Sequence, residues 1–135
     1  MGLDKIIAIS GKPGLYKVLN QSKTGFVIES LTDGKRTTLI ATHNVSALKD
    51  IAIYTYDEEF PLGLIFKSIF EKEGGKTAIS HDAKDPELMA YFEEIVPNFD
   101  KERVYPSNVK KVIRWYNQLV DTHFDFSTVQ TEEEA

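Results

Sequence analysis

Residues 14–41 read Gly14-Leu-Tyr-Lys-Val-Leu-Asn-Gln-Ser-Lys-Thr-Gly-Phe-Val-Ile-Glu-Ser-Leu-Thr-Asp-Gly-Lys-Arg-Thr-Thr-Leu-Ile-Ala41. Three runs rich in β-branched and aromatic residues fall at about 15–20, 26–31 and 35–41. The polar stretch 21–25 separates the first two, and Asp33-Gly34 separates the last two. Asp-Gly predicts a type I′ hairpin, because that turn needs φ > 0 at both central residues and this pair tolerates it. In the first run Leu15, Lys17 and Leu19 point one way and Tyr16, Val18 and Asn20 the other. Working outward, residues 5–9 form a short apolar strand that ends in the loop Ser10-Gly-Lys-Pro-Gly14. After residue 41 come a connection at 43–46, a single helical turn at 46–50 and a fifth strand at 51–56. Five short strands with tight turns predict a small SH3-like β-barrel or a strongly bent antiparallel sheet.

The side-chain rhythm changes at Asp57-Glu58-Glu59, from every second position to every third or fourth. Leu62, Ile65, Phe66, Ile69 and Phe70 predict a helix over 61–72, which Gly74-Gly75 closes. Asp85 as N-cap, Pro86 at the first helical position and the stripe Leu88, Tyr91, Phe92, Ile95 predict a second helix, stopped at Pro97. Val109, Val112, Ile113, Tyr116, Leu119 and Val120 predict a third, from Pro106 to about His123. The fold expected is therefore α+β: a β-barrel or bent sheet over 1–57, a three-helix unit over 58–126 and an acidic flexible tail over 127–135. Two parts this small are expected to share a hydrophobic interface.

The composition fits a soluble folded chain: 135 residues, 41% hydrophobic and 27% charged. There is no cysteine, so disulfides and thiolate metal sites are excluded. The first residues lack a signal-peptide pattern, and Ile6 stands where a myristoylation signal wants Ser or Thr. No run approaches the length of a membrane span, so no membrane role is expected. Before residue 57 there are seven Lys or Arg against four Asp or Glu, a balance of +3; from 57 on there are nine against seventeen, a balance of −8. The acidic total disfavours non-specific nucleic-acid binding.

No catalytic, cofactor or metal motif emerges. Lys12 lies between the glycines of its loop and a strand follows, whereas a phosphate-binding loop places Gly-Lys immediately before a helix. His43, His81 and His123 are far apart, and His81 with Asp82 and Asp85 lacks further ligands at a metal-binding spacing. The adjacent pairs Glu58-Glu59 and Glu93-Glu94 read as solvated faces rather than as general acid and base. The most suggestive group is Lys110, Lys111 and Arg114 with Trp115 beside them, since cations and an aromatic on one helix side can track phosphates and stack a base. The competing reading is an ordinary wet face with Trp115 in the core.

Three segments, Ile9-Ser-Gly-Lys-Pro-Gly-Leu-Tyr-Lys-Val, Gly25-Phe-Val-Ile-Glu-Ser-Leu and Arg103-Val-Tyr-Pro-Ser-Asn-Val-Lys-Lys-Val-Ile-Arg-Trp-Tyr, resemble a conserved bacterial family of unknown function. The resemblance covers nearly the whole chain apart from the acidic tail. It implies a β-rich N-terminal domain, a short helical C-terminal domain and a bacterial, cytoplasmic protein, and it brings no activity and no functional residues. The function expected is a non-enzymatic binding or adaptor module acting through a protein partner or self-association, without a cofactor. The eight Phe and six Tyr supply large side chains for such a surface. The alternative is a nucleic-acid-binding protein using Lys110, Lys111, Arg114 and Trp115. The third reading is a small enzyme whose site is not visible in sequence.

Overall fold

The computed structural model describes residues 5–9, 14–23, 25–40, 45–124 and 126. The acidic tail expected at 127–135, the body of the loop at 10–13 and His43 lie outside the described residues. The chain is α+β. Strands β1 (Ile6–Ile9), β2 (Tyr16–Ser22), β3 (Gly25–Ser30), β4 (Arg36–Ile40) and β5 (Val45–Ala47) form one antiparallel sheet in the order β4-β3-β2-β1-β5. A two-stranded ribbon of β6 (Ala52–Ile53) and β7 (Phe60–Pro61) leads into helices α1 (Leu62–Lys72), α2 (Asp85–Ile95) and α3 (Pro106–Asp121).

The sheet is bent rather than closed. β4 and β5 are its two edges, yet only four residues separate Ile40 from Val45. Five Cα steps span at most about 17 Å. A flat sheet of five strands would set its edges about 19 Å apart. The edges must therefore curl towards each other, and among the described residues they are not hydrogen-bonded into a barrel. A β-bulge in β2 serves the same curvature: Val18 opposes Ile28 and Asn20 opposes Val27, which leaves Leu19 as the extra residue. The simple alternation expected along 15–20 consequently breaks at Leu19.

Two faces of this sheet are buried, each for its own reason. Ile6, Leu15 and Leu48 join the main core with the helices. Ile7, Ile9, Ile28 and Leu39 form a separate cluster with Tyr16, Val18 and Ala47. Ile28 is only 1% exposed although no helical residue belongs to that cluster, as expected inside a curled sheet.

Three sequence expectations need correction. The fifth sheet strand is not 51–56 but Val45–Ala47, and Leu48–Asp50 is a 3₁₀ turn. Residues 52–53 pair with 60–61 instead, and Thr55 bridges Phe99. The Asp33-Gly34 hairpin forms, but not as a type I′ turn. Gly34 has φ +74° while Asp33 keeps negative φ; the Gly34 N–H donates to the Ser30 C=O at 2.8 Å, and the Asp33 carboxylate accepts from the Lys35 N–H at 3.0 Å. The turn is wider than two residues because Asp33 turns its carboxylate onto the backbone. Asp85 lies in the first turn of α2, where its charge suits the helix dipole, and Lys84 occupies the N-cap position.

The helices follow their stripes. Leu62, Ile65, Phe66 and Ile69 of α1, Leu88, Tyr91 and Phe92 of α2, and Val109, Val112, Ile113, Tyr116 and Leu119 of α3 are all buried in the main core. Burying such a side chain is worth about 1.5–3 kcal/mol before entropy. Phe126 packs on Phe70, Tyr116 and Phe124 at ring-centroid distances of 4.7, 5.5 and 5.1 Å. Helix α1 closes at Gly74 and Gly75, the Gly75 N–H donating to the Phe70 C=O at 3.0 Å.

Helix α3 closes the same way but with His123 where glycine is usual. His123 has φ +60°, its N–H donates to the Val120 C=O at 3.0 Å, and the Phe124 N–H donates to the Leu119 C=O at 2.9 Å. This is a Schellman closure with a strained side chain. Replacing His123 with glycine should stabilise the fold by about 0.5–1 kcal/mol, since the left-handed penalty exceeds the extra glycine entropy. Thermal unfolding of His123→Gly should show a midpoint higher by about 2–4 °C; a lowered midpoint would contradict the strain.

Candidate functional site

Helix α3 separates two concave surfaces. Lys110, Lys111 and Arg114 are exposed on it and have no carboxylate within ion-pair distance among the described residues. Trp115 is half-buried and packs against the main core. Lys111 and Trp115 line a groove on one flank, and Arg114 lines a cleft on the other. Of the cations on the sheet, Lys17 and Arg36 are both held by Glu29, at 3.7 and 3.2 Å.

The groove, about 230 Å³, lies between β6 and α3. Its apolar lining comes from Ile51, Ile53, Val104, Val112 and Trp115. The strand around Tyr54 shapes its wall. The Asp100 N–H donates to the Tyr54 C=O at 2.9 Å and the Tyr56 N–H to the Asn98 C=O at 3.0 Å, so 54–56 is bonded on this side. On the opposite edge, the Ile51 C=O accepts from the Leu62 N–H at 2.9 Å. Backbone groups alternate along a strand. Ala52 therefore turns its N–H and C=O away from β7 and towards the groove, where the 98–100 segment no longer follows it. The chain leaves because it turns at Asp100, whose C=O accepts from the Arg103 and Val104 N–H groups at 3.1 and 2.9 Å.

Asp100 is the anchor of that turn. It is 7% exposed, accepts from the Glu102 N–H at 2.9 Å and from the Arg103 Nε at 2.8 Å, and the Arg103 guanidinium holds its carboxyl below the usual range against the opposing effect of burial. The same guanidinium lies 4.4 Å from the Tyr54 ring centroid. Tyr54, Tyr56 and Tyr105 remain 43%, 62% and 58% exposed. Tyr54 lines the groove and Tyr105 follows its lining residue Val104; with Tyr56 they are the exposed tyrosines among the described residues. Sequence reading missed all three, because their periodicity is that of ordinary strand and cap positions.

The opposite flank is polar. The Gln118 Oε1 accepts from the Leu15 N–H at 2.7 Å, and its Nε2 donates to Thr32 Oγ1 at 2.8 Å. A Cβ at Gly14 would lie 2.8 Å from that Thr32 oxygen and 3.4 Å from Gln118 Nε2, so glycine is required for the approach. Asn117 accepts from the Ala78 N–H at 2.7 Å and donates to the Ile79 C=O at 3.1 Å. Tyr116 donates to the Lys76 C=O at 2.7 Å, and Tyr91 donates to the Glu73 carboxylate. The irregular segment 73–84 is thus pinned along α3 and α2. His81 Nε2 lies 3.6 Å from the Asp82 carboxylate. Among the described residues no three His, Asp or Glu side chains are grouped to hold a metal ion, and no helix is long and apolar enough to cross a membrane.

An open, bent antiparallel sheet followed by a three-helix unit, with aromatic and polar surfaces on either side of the last helix, defines the class. Residues 3–48 match a domain of unknown function (DUF5606) and residues 51–119 match a second (DUF6852), the two meeting at the 3₁₀ turn Leu48–Asp50. A solution NMR structure of a Bacteroides vulgatus protein, solved as a structural-genomics target, is 41% identical and superimposes with a TM-score of 0.75 over 91% of this chain and 89% of that one. The chain belongs to this conserved bacterial family of unknown function. No curated protein matches it.

The pinned segment has a pH signature. Burial first, then the Glu73 carboxylate, pushes the Tyr116 phenol up to about 12. Burial, with the bond to Glu73 next, holds Tyr91 above the ordinary tyrosine range. Both phenols ionise more readily in the unfolded chain. The stability they contribute is complete below about pH 10, the free tyrosine value, and is lost as pH rises through the folded value. Phenolate absorbance should show a late component above the free tyrosine value, and a Tyr91→Phe/Tyr116→Phe variant should lose that component and lose less stability above about pH 10. A late component that persists in the double variant would contradict this packing.

Proposed function

We propose that the protein is a non-enzymatic binding module of the bacterial cytoplasm whose groove between β6 and α3 takes an extended acidic peptide carrying a hydrophobic anchor. The observation behind this reading is the meeting of three features in one place. Ala52 offers a strand-edge N–H and C=O without a partner among the described residues, Ile51, Ile53, Val112 and Trp115 offer an apolar floor, and Lys111 offers a positive charge with no carboxylate partner among the described residues. A peptide adding to a strand edge gains main-chain hydrogen bonds there and specificity from the pocket. Tyr54 and Tyr105 at the rim supply rigid contact area at low entropic cost. The charge complement favours an acidic segment.

Nucleic acid is the second reading, supported by Lys110, Lys111 and Arg114 standing unpaired near Trp115 and the exposed Tyr105. Two features weigh against it. The net charge is −5, and Arg114 faces the other flank from Trp115. Self-association through the tyrosine patch is a further outcome that light scattering distinguishes.

Trp115 is the sole tryptophan, so its fluorescence reports on the groove directly. An array of extended peptides with one Leu or Phe flanked by Asp and Glu should yield binders that shift this fluorescence. Lys111→Glu should weaken them at least about tenfold, the scale of a truncated charge partner at an interface. No binder in the array, or binding indifferent to Lys111→Glu, would overturn the peptide reading. A gel shift with mixed oligonucleotides at low salt, lost in Lys110→Glu/Arg114→Glu, would replace it with the nucleic-acid one.

A further inference from the structure

The cleft on the Arg114 flank is larger than the peptide groove and chemically different. It spans about 670 Å³ between α3, the segment 77–81 and the β3–β4 turn at Leu31 and Thr32. That volume falls within the range of small-molecule sites. The peptide reading does not bear on it, because no residue lines both surfaces.

Its walls are fixed by bonds already made. Gln118 holds the sheet side through Leu15 and Thr32, and Asn117 holds the segment side through Ala78 and Ile79. A stretch as long as 73–84 without regular structure, tied down at its middle, is the kind of loop that serves a site. What those bonds leave over is a set of convergent donors. Thr32 Oγ1 accepts from Gln118 and Ser80 Oγ accepts from the Asp82 N–H at 3.0 Å, and neither hydroxyl proton has an acceptor among the described residues. Thr77 adds a third hydroxyl at the lining, and His81 a ring edge. Arg114 brings a guanidinium with no carboxylate partner among the described residues. Asp121 lies two turns further along α3, about 10 Å along the axis from Arg114 by helical rise, and is the acceptor at the other end.

A cation at Arg114, a carboxylate at Asp121 and hydroxyls held alongside Asn117 and Gln118 between them select a ligand of matching polarity. We propose that this cleft binds a small phosphorylated polyol, a sugar phosphate or mononucleotide, with its phosphate on the Arg114 fork and its hydroxyls towards Asp121. Arginine suits phosphate because its planar fork donates two parallel hydrogen bonds. The hydroxyl donors complete the oxyanion's shell, and Asp121 accepts from the sugar end. Phosphate alone would use only half of the site, and the sugar alone would forgo the charge-assisted bonds.

The test uses the full chain and amide-resolved NMR titration with ribose 5-phosphate, adenosine monophosphate, inorganic phosphate and ribose. Saturable shifts at Ala78, His81 and residues 114–121 are expected with the two phosphorylated sugars, weaker shifts with phosphate and none with ribose. The two sugars separate the sources: a mononucleotide site prefers the monophosphate, a sugar-phosphate site the smaller probe. Arg114→Gln should lower affinity about tenfold or more, Arg114→Lys should restore part of it, and Lys49→Gln, at an exposed position outside the cleft, should leave it unchanged. Absence of saturable shifts with every phosphorylated probe would overturn the proposal, as would shifts of equal size in Arg114→Gln. Because Arg114 is exposed, these variants should fold, and their unperturbed spectra away from the cleft check that directly.

Discussion

The Gln118 carboxamide holds the sheet and the helices in register. It accepts from the Leu15 N–H and donates to Thr32 in the β3–β4 turn, from a half-buried position on α3. The larger share of the binding between the two parts is apolar: Ile6, Leu15 and Leu48 are fully buried with α1 and α3, at about 1.5–3 kcal/mol each. Apolar burial has no direction, however. The carboxamide does, and leaving the Leu15 amide without it would cost about 1–3 kcal/mol. Gly14 exists in this arrangement because a side chain there would strike Thr32. Asn117, the next residue of α3, does for the irregular segment what Gln118 does for the sheet.

From this arrangement the two surfaces follow. Once the sheet is set against the C-terminal half of α3, the strand at 52–56 is left beside the N-terminal half. The turn at Asp100 draws the 98–100 strand away just where Ala52 would need it. The groove is thus a gap in a ladder, floored by core residues. The cleft is a gap between two clamped walls. One is apolar with exposed tyrosines and the other polar, so a single helix separates two kinds of recognition.

Much of this build is legible in the sequence. The stripes of α1, α2 and α3 are, because burial of one face at a period of 3.6 leaves an imprint on residue order. So are β1 to β4 and the closing glycines of α1. The fifth strand is not: 51–56 carries strand-forming residues, yet 45–47 takes the edge beside β1 and 52–53 pairs with 60–61. The bulge at Leu19 breaks an alternation that sequence alone presents as regular. The candidate site divides in the same manner. Lys110, Lys111, Arg114 and Trp115 stand out as a cluster in sequence, yet successive helix positions project about 100° apart, so the neighbours Arg114 and Trp115 line different surfaces. Tyr54, Tyr105, Thr32 and Ser80 carry no local signal, since what unites them is the meeting of segments far apart in the chain.

The central claim is that the bent sheet and the three helices form one cooperative unit, joined by a shared core and by Gln118, rather than two domains that touch. Native-state hydrogen exchange tests it most directly. The slowest amides of β2 and β3 and those of α3 should open with the same free energy, within about 0.5 kcal/mol, and with the same denaturant dependence. Sheet amides that exchange through a separate, cheaper opening while α3 stays protected would contradict the account.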